Sequence, residues 1–458
     1  MHRVFAQALT WTSLAACGPS PLPPPRLVSG PPAAADLDPD PHRVVFELVA
    51  STTTVQQYGE TPSEIWTYNG QLPGPTLQAR VGDEVTIHFT NDLPEPTTIH
   101  WHGLRISDAM DGVPAIQQAV RPGETFTYRF SPPEPGTFWY HPHVRAHEQV
   151  ERGLHGAFVV HPREEPEGVG ERVFVVDDVQ LNADGSLAEF TLDSEHVTQS
   201  HGRVGTQLLV NGQLDPPMAP ASPSTSERWR VVNVSNASSM RVTVRGGLAR
   251  VIARDGGLLE TPLDLDVVDL PVGGRVDFEV RGVAGEALAL EVEAGKHAVG
   301  KPSVVAAGVP WNVSTTSWAT WPDAPAVQVS SPQQELALTF GRAGGGTDRT
   351  WTVNGNEWGE HTPIPLNADV PTRIRVVDES SAPHPFHLHG QFFRVVSRNG
   401  VLTDDKAAYD TVMLGPDEEV ELFTTLDNPG RWMAHCHILA HAERGMMTEL
   451  VVQPLERN

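Results

Sequence analysis

Short runs in which hydrophobic and polar residues alternate recur along the chain from about residue 42 onwards. Alternation with a period of two places successive side chains on opposite faces of an extended strand. Glycine- and proline-rich turns separate the runs, as is typical of β-sandwich domains. The pattern predicts an all-β protein with strands at 85–91, 125–130, 173–176, 229–236, 241–244, 275–280, 372–377, 392–396 and 419–423.

An Asn-Gly turn precedes a strand three times, at Asn69-Gly70, Asn211-Gly212 and Asn354-Gly355. Asn-Gly before an alternating run is a strand-turn signal. The turns are 142 and 143 residues apart, and this near-equal spacing predicts three copies of one β domain. The predicted domain bounds are 42–165, 166–320 and 321–458.

Composition narrows the classes of function. The chain has 458 residues, 40 Gly and 41 Pro, and these glycines and prolines disfavour a mostly helical protein. The formal net charge is −25. A negative field of this size repels nucleic-acid phosphates and anionic lipids. The sequence therefore predicts cationic or neutral small-molecule partners and excludes a nucleic-acid-binding role.

The N-terminal stretch has the pattern of an export signal. A mildly apolar run ends in Leu14-Ala15-Ala16-Cys17, which resembles a bacterial lipobox. We therefore expect a lipoprotein-type signal peptide at 1–17 and a lipid anchor at Cys17; the alternative is ordinary signal cleavage with an incidental cysteine. Residues 18–41 contain nine prolines and predict a stiff tether. The expected location is the periplasmic face of a bacterial membrane.

Ten of the 20 histidines fall into four tight clusters, and each cluster contains His-x-His. On a strand, residues i and i+2 point to the same face, so each pair offers two imidazoles side by side. These imidazoles can bind one metal each or share one. A single pair is weak support for a metal site, but four pairs in one acidic chain favour it strongly. The pairs are His100/His102, His141/His143, His387/His389 and His435/His437.

The pairs occupy equivalent places in the first and third repeats. Pro135-Gly136 lies five residues before His141, and Pro429-Gly430 lies five residues before His435. The second repeat has no His-x-His pair. The simplest arrangement places metal ions between the first and third domains, with the second domain as a spacer.

The fourth cluster adds a soft ligand. Cys436 lies between two histidines, so on a strand its sulfur faces away from their metals. His384, Cys436, His441 and Met446 together supply two imidazoles, a thiolate and a thioether. This set is the blue-copper pattern, and the thioether favours copper over zinc, which also accepts Cys and His. Met446 or Met447 as plain core residues are the alternative.

These clusters resemble those of the multicopper oxidases, a family that includes laccases and cuprous oxidases, because twelve ligand positions occur in order. The resemblance implies three tandem cupredoxin-like Greek-key β-sandwich domains and four copper ions. It assigns the type 1 copper to His384, Cys436, His441 and Met446, and the type 2 copper to His100 and His387. It assigns the type 3 pair to His102, His141, His143, His389, His435 and His437.

The resemblance also implies catalytic roles. Electrons would pass from Cys436 to His435 and His437, its covalent neighbours. Asp111 matches the acid that the family keeps beside the trinuclear centre, although Asp before Gly is also a common turn former. Related bacterial enzymes often carry Glu immediately after the histidine that matches His441. Here Ala442 follows and Glu443 comes one residue later, so a proton route through Glu443 is doubtful.

The electron donor is the weakest part of the interpretation. The chain has only 8 Met and no Met-rich run, which favours a laccase-like oxidase of phenols or aromatic amines over a cuprous or other metal-ion oxidase. Asp378 and Glu379 are candidates for attracting a cationic donor or, alternatively, part of a solvated loop. A third hypothesis is a non-catalytic copper-binding envelope protein. The expected partners are O2 and a small aromatic reductant or Cu(I), and we expect a monomer.

Overall fold

A computed structural model describes residues 30–56, 58–166, 168–190, 201–214, 216, 226–283, 286–295, 303–306, 318–322, 327–345 and 350–455. The predicted signal peptide with Cys17 and residues 18–29 of the tether lie outside these ranges. Among the described residues, no helix has the length and apolar character needed to cross a bilayer.

The first domain packs two four-stranded sheets against each other, in the orders β2-β1-β4-β6 and β3-β8-β7-β5. A 3₁₀ turn at Asp108–Met110 and a short helix α1 at Ala146–Gln149 complete it. The strands are β1 Arg43–Val55, β2 Ser63–Tyr68, β3 Gly74–Arg80, β4 Glu84–Asp92, β5 His100–His102, β6 Thr125–Phe130, β7 Gly136–His141 and β8 Gly156–His161.

The second domain has a six-stranded sheet, β10-β9-β11-β16-β13-β14, and a four-stranded sheet, β15-β12-β17-β18. Its strands are β9 Val169–Val179, β10 Gln207–Val210, β11 Ser226–Asn233, β12 Met240–Arg245, β13 Gly247–Arg254, β14 Gly257–Leu263, β15 Val267–Leu270, β16 Arg275–Gly282, β17 Ala289–Ala294 and β18 Ser303–Ala306.

The third domain has a six-stranded sheet, β20-β19-β22-β27-β24-β25, and a five-stranded sheet, β21-β29-β28-β23-β26. A short helix, α2, spans Leu439–Glu443. The strands are β19 Gln334–Ala343, β20 Thr350–Val353, β21 Ile364–Asn367, β22 Thr372–Asp378, β23 His384–Leu388, β24 Arg394–Arg398, β25 Val401–Leu402, β26 Thr411–Leu414, β27 Glu419–Thr424, β28 Gly430–Cys436 and β29 Met447–Gln453.

The three domains repeat one topology, which confirms the predicted fold class. The first strand of each pairs in parallel with a later strand, as β1 with β4, β9 with β11 and β19 with β22. Each also forms an antiparallel pair with the next strand of the chain, as β1 with β2, β9 with β10 and β19 with β20. The predicted boundaries at 165/166 and 320/321 fall between the last strand of one domain and the first strand of the next.

The three Asn-Gly turns are built alike. Asn69, Asn211 and Asn354 have φ of 54°, 52° and 52°, the left-handed conformation that asparagine tolerates better than most residues. Each asparagine side chain also accepts a hydrogen bond from a backbone N–H of the first strand of its domain, at 2.7 to 2.8 Å. The turn residue therefore closes the same sheet edge in every domain, which explains why the motif recurs.

The first and third domains meet beside the histidine clusters. The Asn428 side chain donates to the Ile106 carbonyl at 3.0 Å, and the Arg431 N–H donates to Asp108 Oδ2 at 3.0 Å. Arg105 adds an ion pair with Asp427. These contacts bring the β5–β7 pair of the first domain and the β23–β28 pair of the third domain to a common junction.

Candidate metal centre

Strand β5 carries the only His-x-His pair that lies wholly within one strand of the described structure. His100 and His102 share a face, with ring centroids 5.9 Å apart. Trp101 points the other way into the core of the first domain, against Tyr128 and Tyr140. The alternation of strand side chains therefore gives the first pair the predicted geometry.

The other three pairs straddle the ends of strands. His141 is the last residue of β7, and His389 and His437 lie just beyond β23 and β28. Proline at 142 has no N–H to extend the ladder. The rings of these pairs nevertheless stay close, with centroids 4.9 to 6.1 Å apart. The predicted side-by-side imidazoles occur in all four pairs, although the strand argument explains only one.

Eight histidines from the four pairs converge in one place, and we call them the eight-histidine cluster. Within each group of potential ligands in this cluster, the ligand atoms lie within 4.8 Å of one another. The two histidines of the pairs His141/His143 and His435/His437 belong to different main groups, so these pairs are shared between neighbouring positions. The two main groups are His102, His141, His437 and His143, His389, His435, and a third group is His100, His102, His387.

Four histidines of the cluster, His141 among them, donate from Nδ1 to a backbone carbonyl. His100 Nδ1 donates to Asp111 O, His387 Nδ1 to Asp410 O, and His435 Nδ1 to Cys436 O, each at 2.9 Å. A protonated Nδ1 leaves Nε2 with the free lone pair. The backbone therefore aims the Nε2 lone pairs at the interior of the cluster.

His102 has the opposite orientation. Its Nε2 donates to Asp410 Oδ1 at 3.1 Å and lies 3.2 Å from Thr411 Oγ1. Its Nδ1 is buried without a hydrogen-bond partner. His102 therefore presents Nδ1 to the interior and depends on a carboxylate for its orientation.

The chemistry of these nitrogens fits bound cations. His389 Nε2 and His435 Nε2 lie 2.9 Å apart, and both Nδ1 atoms are donors elsewhere, so two lone pairs face each other. Five further histidines of the cluster have ring nitrogens buried without partners, at a cost of about 1–3 kcal/mol each: His100 Nε2, His102 Nδ1, His141 Nε2, His387 Nε2, and both nitrogens of His437. Metal ions between the rings would satisfy one nitrogen of each ring.

Burial keeps these imidazoles in the neutral, metal-binding form. Removal from water, reinforced by neighbouring imidazoles, lowers the pKa of several histidines well below the ordinary value. For His435, burial lowers the pKa to about 3. The histidines with a strongly lowered pKa are His102, His141, His143, His389 and His437.

Asp111 contacts two histidines of the cluster. Its Oδ2 accepts from His389 Nδ1 at 2.7 Å, and its Oδ1 lies 3.3 Å from His100 Nδ1. The side chain is 1% exposed. Asp111 also stands in a turn before Gly112, whose φ is 81°. Asp111 is therefore both a turn residue and a hydrogen-bond partner of the cluster, so the two alternatives given by the sequence do not exclude each other.

His384, Cys436 and His441 form a second group, which we call the cysteine site. Cys436 Sγ lies 3.4 Å from His384 Nδ1 and 3.7 Å from His441 Nδ1, and the two nitrogens are 3.2 Å apart. The Ile438 N–H donates to the sulfur at 3.4 Å. Burial raises the pKa of the Cys436 thiol. A cation between these three atoms would hold the sulfur as thiolate.

Met446 is the better candidate for a fourth ligand here than Met447. Met446 is fully buried in the same hydrophobic cluster as Cys436, and its carbonyl accepts from the Cys436 N–H at 3.1 Å. Met447 instead packs with Val113 and Met433.

Ser380 contacts the ring nitrogen of His384 that faces away from Cys436, and Asp378 in turn holds Ser380. Ser380 Oγ lies 2.7 Å from His384 Nε2, and the Ser380 N–H donates to Asp378 Oδ1 at 2.7 Å. Asp378 is 2% exposed, and burial raises its pKa to about 6. The view of Asp378 as part of a solvated loop is therefore wrong, because the residue ends β22 inside the core; only Glu379 is exposed.

A cavity of about 150 Å³ opens onto the eight-histidine cluster beside His143 and His435. Ala442 and Glu443 both line it. Glu443 Oε2 lies 3.7 Å from His147 Nδ1 and is 35% exposed. Glu443 lies one residue beyond the position directly after His441, and its side chain still lines this cavity.

The sequence analysis did not identify Asp410 and Thr411, which contact His102, or Arg275, which pairs with Asp410. Each is an isolated polar residue in an ordinary strand or turn, and no spacing marks it. These residues become recognisable only when the second and third domains pack together.

Three two-sheet β domains with buried imidazole clusters at their junction define a metal-binding β-sandwich protein. The family model described as "Multicopper oxidase" matches residues 49–165 and, in a second form, 331–456. Among curated proteins, the chain is 28% identical to multicopper oxidase MmcO of Mycobacterium tuberculosis, over 92% of this chain and 87% of that protein. It is 26% identical to Laccase-1 of Cryptococcus neoformans var. grubii, over 85% and 77%.

Solved structures give the same result. A multi-copper oxidase from Pseudomonas thermotolerans is 30% identical with a TM-score of 0.79, covering 90% of this chain and 99% of that one. A multicopper oxidase from Campylobacter jejuni, described as a metallo-oxidase, is 25% identical with a TM-score of 0.81, covering 95% and 97%. The chain belongs to the multicopper oxidase family. It is therefore a copper oxidoreductase that uses O2 and a reductant.

Proposed function

We propose that the chain binds four copper ions and couples one-electron oxidation of phenols or aromatic amines to four-electron reduction of O2 to water. The cysteine site with Met446 would hold one type 1 copper. The eight-histidine cluster would hold a type 2 copper at His100 and His387 and a type 3 pair at its two main groups; we call these three ions the trinuclear centre. When bound, the coppers supply one-electron redox chemistry and a place to reduce O2.

The observation that carries this proposal is the position of Cys436 between the two sites. Its sulfur lies in the cysteine site, while His435 and His437, its covalent neighbours, belong to the two main groups of the eight-histidine cluster. The backbone therefore links the two sites through a single tripeptide. This arrangement separates the place where a donor delivers electrons from the place where O2 collects them.

A laccase-like donor preference rests on two observations. The relative from Cryptococcus neoformans is named a laccase, and the segment from Ser380 to Pro383, directly before His384, carries no thioether. The ring of Trp351, whose centroid lies 4.1 Å from that of His441, is buried in the core of the third domain and offers no surface to a donor. The alternative is a metal-ion oxidase, which the description of the Campylobacter jejuni relative favours.

Oxygen uptake by the copper-loaded protein tests the donor class. We expect uptake with a phenol such as 2,6-dimethoxyphenol to exceed uptake with Cu(I) at equal donor concentration, because the segment from Ser380 to Pro383, directly before His384, offers no thioether to bind Cu(I). Protein stripped of copper by a chelator is the control. Faster uptake with Cu(I) would establish the metal-ion oxidase instead, and a fully loaded protein that consumes no O2 would contradict both.

Replacing Met446 with leucine should raise the reduction potential of the type 1 copper. Loss of a weak axial thioether destabilises the oxidised ion more than the reduced one. We expect a shift on the order of 59 mV, which is a tenfold change in a one-electron equilibrium. Redox titration of the blue band measures it, and Met447→Leu is the matched control. An unchanged potential in Met446→Leu would show that Met446 is not axial.

A further inference from the structure

A loop of the second domain reaches the eight-histidine cluster, although that domain contributes no histidine to it. Gly273, between β15 and β16, has φ of +81°. A Cβ on this residue would lie 3.0 Å from His102 Cε1 and 3.1 Å from His437 Cδ2. The backbone therefore packs directly against two rings of one main group. The second domain forms a wall of the site and is more than the predicted spacer.

Arg275 follows this loop and joins all three domains. Its Nε donates to Thr137 O of the first domain at 2.9 Å. Its Nη1 donates to Asp410 Oδ1 of the third domain at 2.6 Å, and its Nη2 donates to Asp410 Oδ2. Further bonds reach Asp255 O at 3.1 Å and Gly273 O at 3.2 Å. The side chain is 1% exposed, so these bonds hold the guanidinium group in one position.

Asp410 passes this fixed geometry on to two histidines. Its Oδ1 accepts from His102 Nε2 at 3.1 Å, and its backbone carbonyl accepts from His387 Nδ1 at 2.9 Å. The Thr411 hydroxyl donates to the same Oδ1 at 2.8 Å. His102 and His387 lie nearly parallel, with ring centroids 3.8 Å apart. A rotation of the Asp410 carboxylate would therefore release His102 first, since His387 is held by the backbone.

The packing around the Arg275–Asp410 pair leaves little freedom to move. Gly103 directly follows His102, and a Cβ on it would lie 2.3 Å from Arg275 Nη2 and 2.7 Å from Asp410 Oδ2. Bidentate pairing of a guanidinium with a carboxylate adds geometric specificity to the attraction. Lysine keeps the charge but cannot form this fork, so it is the informative substitution.

We propose that Arg275 is a positioning residue which the second domain supplies to the trinuclear centre. It fixes the Asp410 carboxylate, which holds the Nε2–H of His102 and so presents Nδ1 of His102 to the bound metal. This inference rests on the proposed function, because it requires copper in the eight-histidine cluster. Arg275 bonds to Thr137, Asp255, Gly273 and Asp410, none of which belongs to the cysteine site, so that site should keep its own copper.

The test compares Arg275→Lys with a matched control, Arg230→Lys. Arg230 is also fully buried in the second domain, and it pairs with Glu171 at 2.9 Å and with Thr137 Oγ1 at 2.9 Å. In the described structure it shares Thr137 with Arg275 but forms no direct hydrogen bond to Asp410. The holoproteins are dialysed against graded chelator, copper per chain is counted, and the type 1 and type 2 signals are followed by electron paramagnetic resonance.

We expect Arg275→Lys to lose the copper of the trinuclear centre at about 10- to 100-fold lower chelator strength than the wild type, the usual effect of losing an outer-shell partner. Its type 1 signal should persist and show that the third domain is folded. Arg230→Lys should retain copper as the wild type does, even if its thermal stability falls. If Arg275→Lys does not fold, Gly103→Ala displaces the same pair and should give the same selective loss.

Two results would overturn the inference. The first is copper retention equal to that of the wild type in Arg275→Lys, or in Gly103→Ala if Arg275→Lys does not fold. The second is an equal loss of copper in Arg230→Lys. A wild-type protein that binds copper only at the cysteine site would contradict the proposed function itself. The copper count of the wild type therefore separates the two failures.

Discussion

Replacing Cys436 with serine is expected to abolish oxidation of every donor while three of the four coppers stay bound. The cysteine site depends on this sulfur, which lies 3.4 Å from His384 Nδ1 and 3.7 Å from His441 Nδ1. A serine hydroxyl is neither soft nor ionised, so it cannot replace the thiolate. The eight-histidine cluster keeps all its imidazoles. Turnover should therefore fall to the uncatalysed background.

The measurement is copper per chain together with oxygen uptake and the blue absorption band. Ala440→Ser is the matched control, because it also places a hydroxyl in a fully buried position near the site but removes no ligand. The control should keep the blue band and measurable turnover. Turnover in Cys436→Ser at more than a small fraction of wild-type would contradict the assignment of Cys436 as the link between donor and O2.

The repeated fold could be predicted because local signals decide it. Asn69, Asn211 and Asn354 each adopt the left-handed turn that Asn-Gly favours and each close the same sheet edge. Alternating runs mark the strands in all three domains, since one face of each strand packs into a core. These signals act over a few residues, so they can be seen without knowing what packs against them.

The histidine groups could be predicted only in part. His-x-His predicted side-by-side imidazoles, and the equivalent positions in the first and third repeats predicted their meeting. How the rings are shared between groups depends on the tautomers, which are set by distant partners such as Asp410. Asp378 shows the same limit: its sequence position suggests a solvated loop, whereas the packing of the third domain buries it against Ser380.

The contribution of the second domain could not be read from the sequence for the same reason. Arg275 begins an ordinary strand, and Gly273 stands in an ordinary turn. Their importance comes from contacts that span 135 residues or more in sequence, such as Arg275 with Asp410. The loop at Gly273 packs against His102 and His437, so the second domain adds a wall to the eight-histidine cluster. A buried cluster of neutral imidazoles needs this enclosure, since water would otherwise compete for their lone pairs.

Asp111→Asn is expected to lower turnover by about 10²–10⁴-fold, the usual contribution of a general acid or base, while all four coppers stay bound. Asparagine retains an oxygen to accept from His389 Nδ1, which Asp111 Oδ2 now does at 2.7 Å. The backbone carbonyl still accepts from His100 Nδ1. The amide, however, cannot carry a proton, and reduction of O2 to water consumes four of them.

Steady-state oxygen uptake and copper counting test this prediction, with Asp108→Asn as the control. Asp108 lies three residues earlier and accepts from the Arg431 N–H at 3.0 Å, so it serves the domain junction and no histidine of the cluster. Asp108→Asn should keep near wild-type turnover. Asp111→Ala should lose copper as well as turnover, because alanine removes the support of His389 altogether. If Asp111→Asn turned over at the wild-type rate, Asp111 would act only by holding His389, and the protons would have to come from another group, such as Glu443 at the cavity wall.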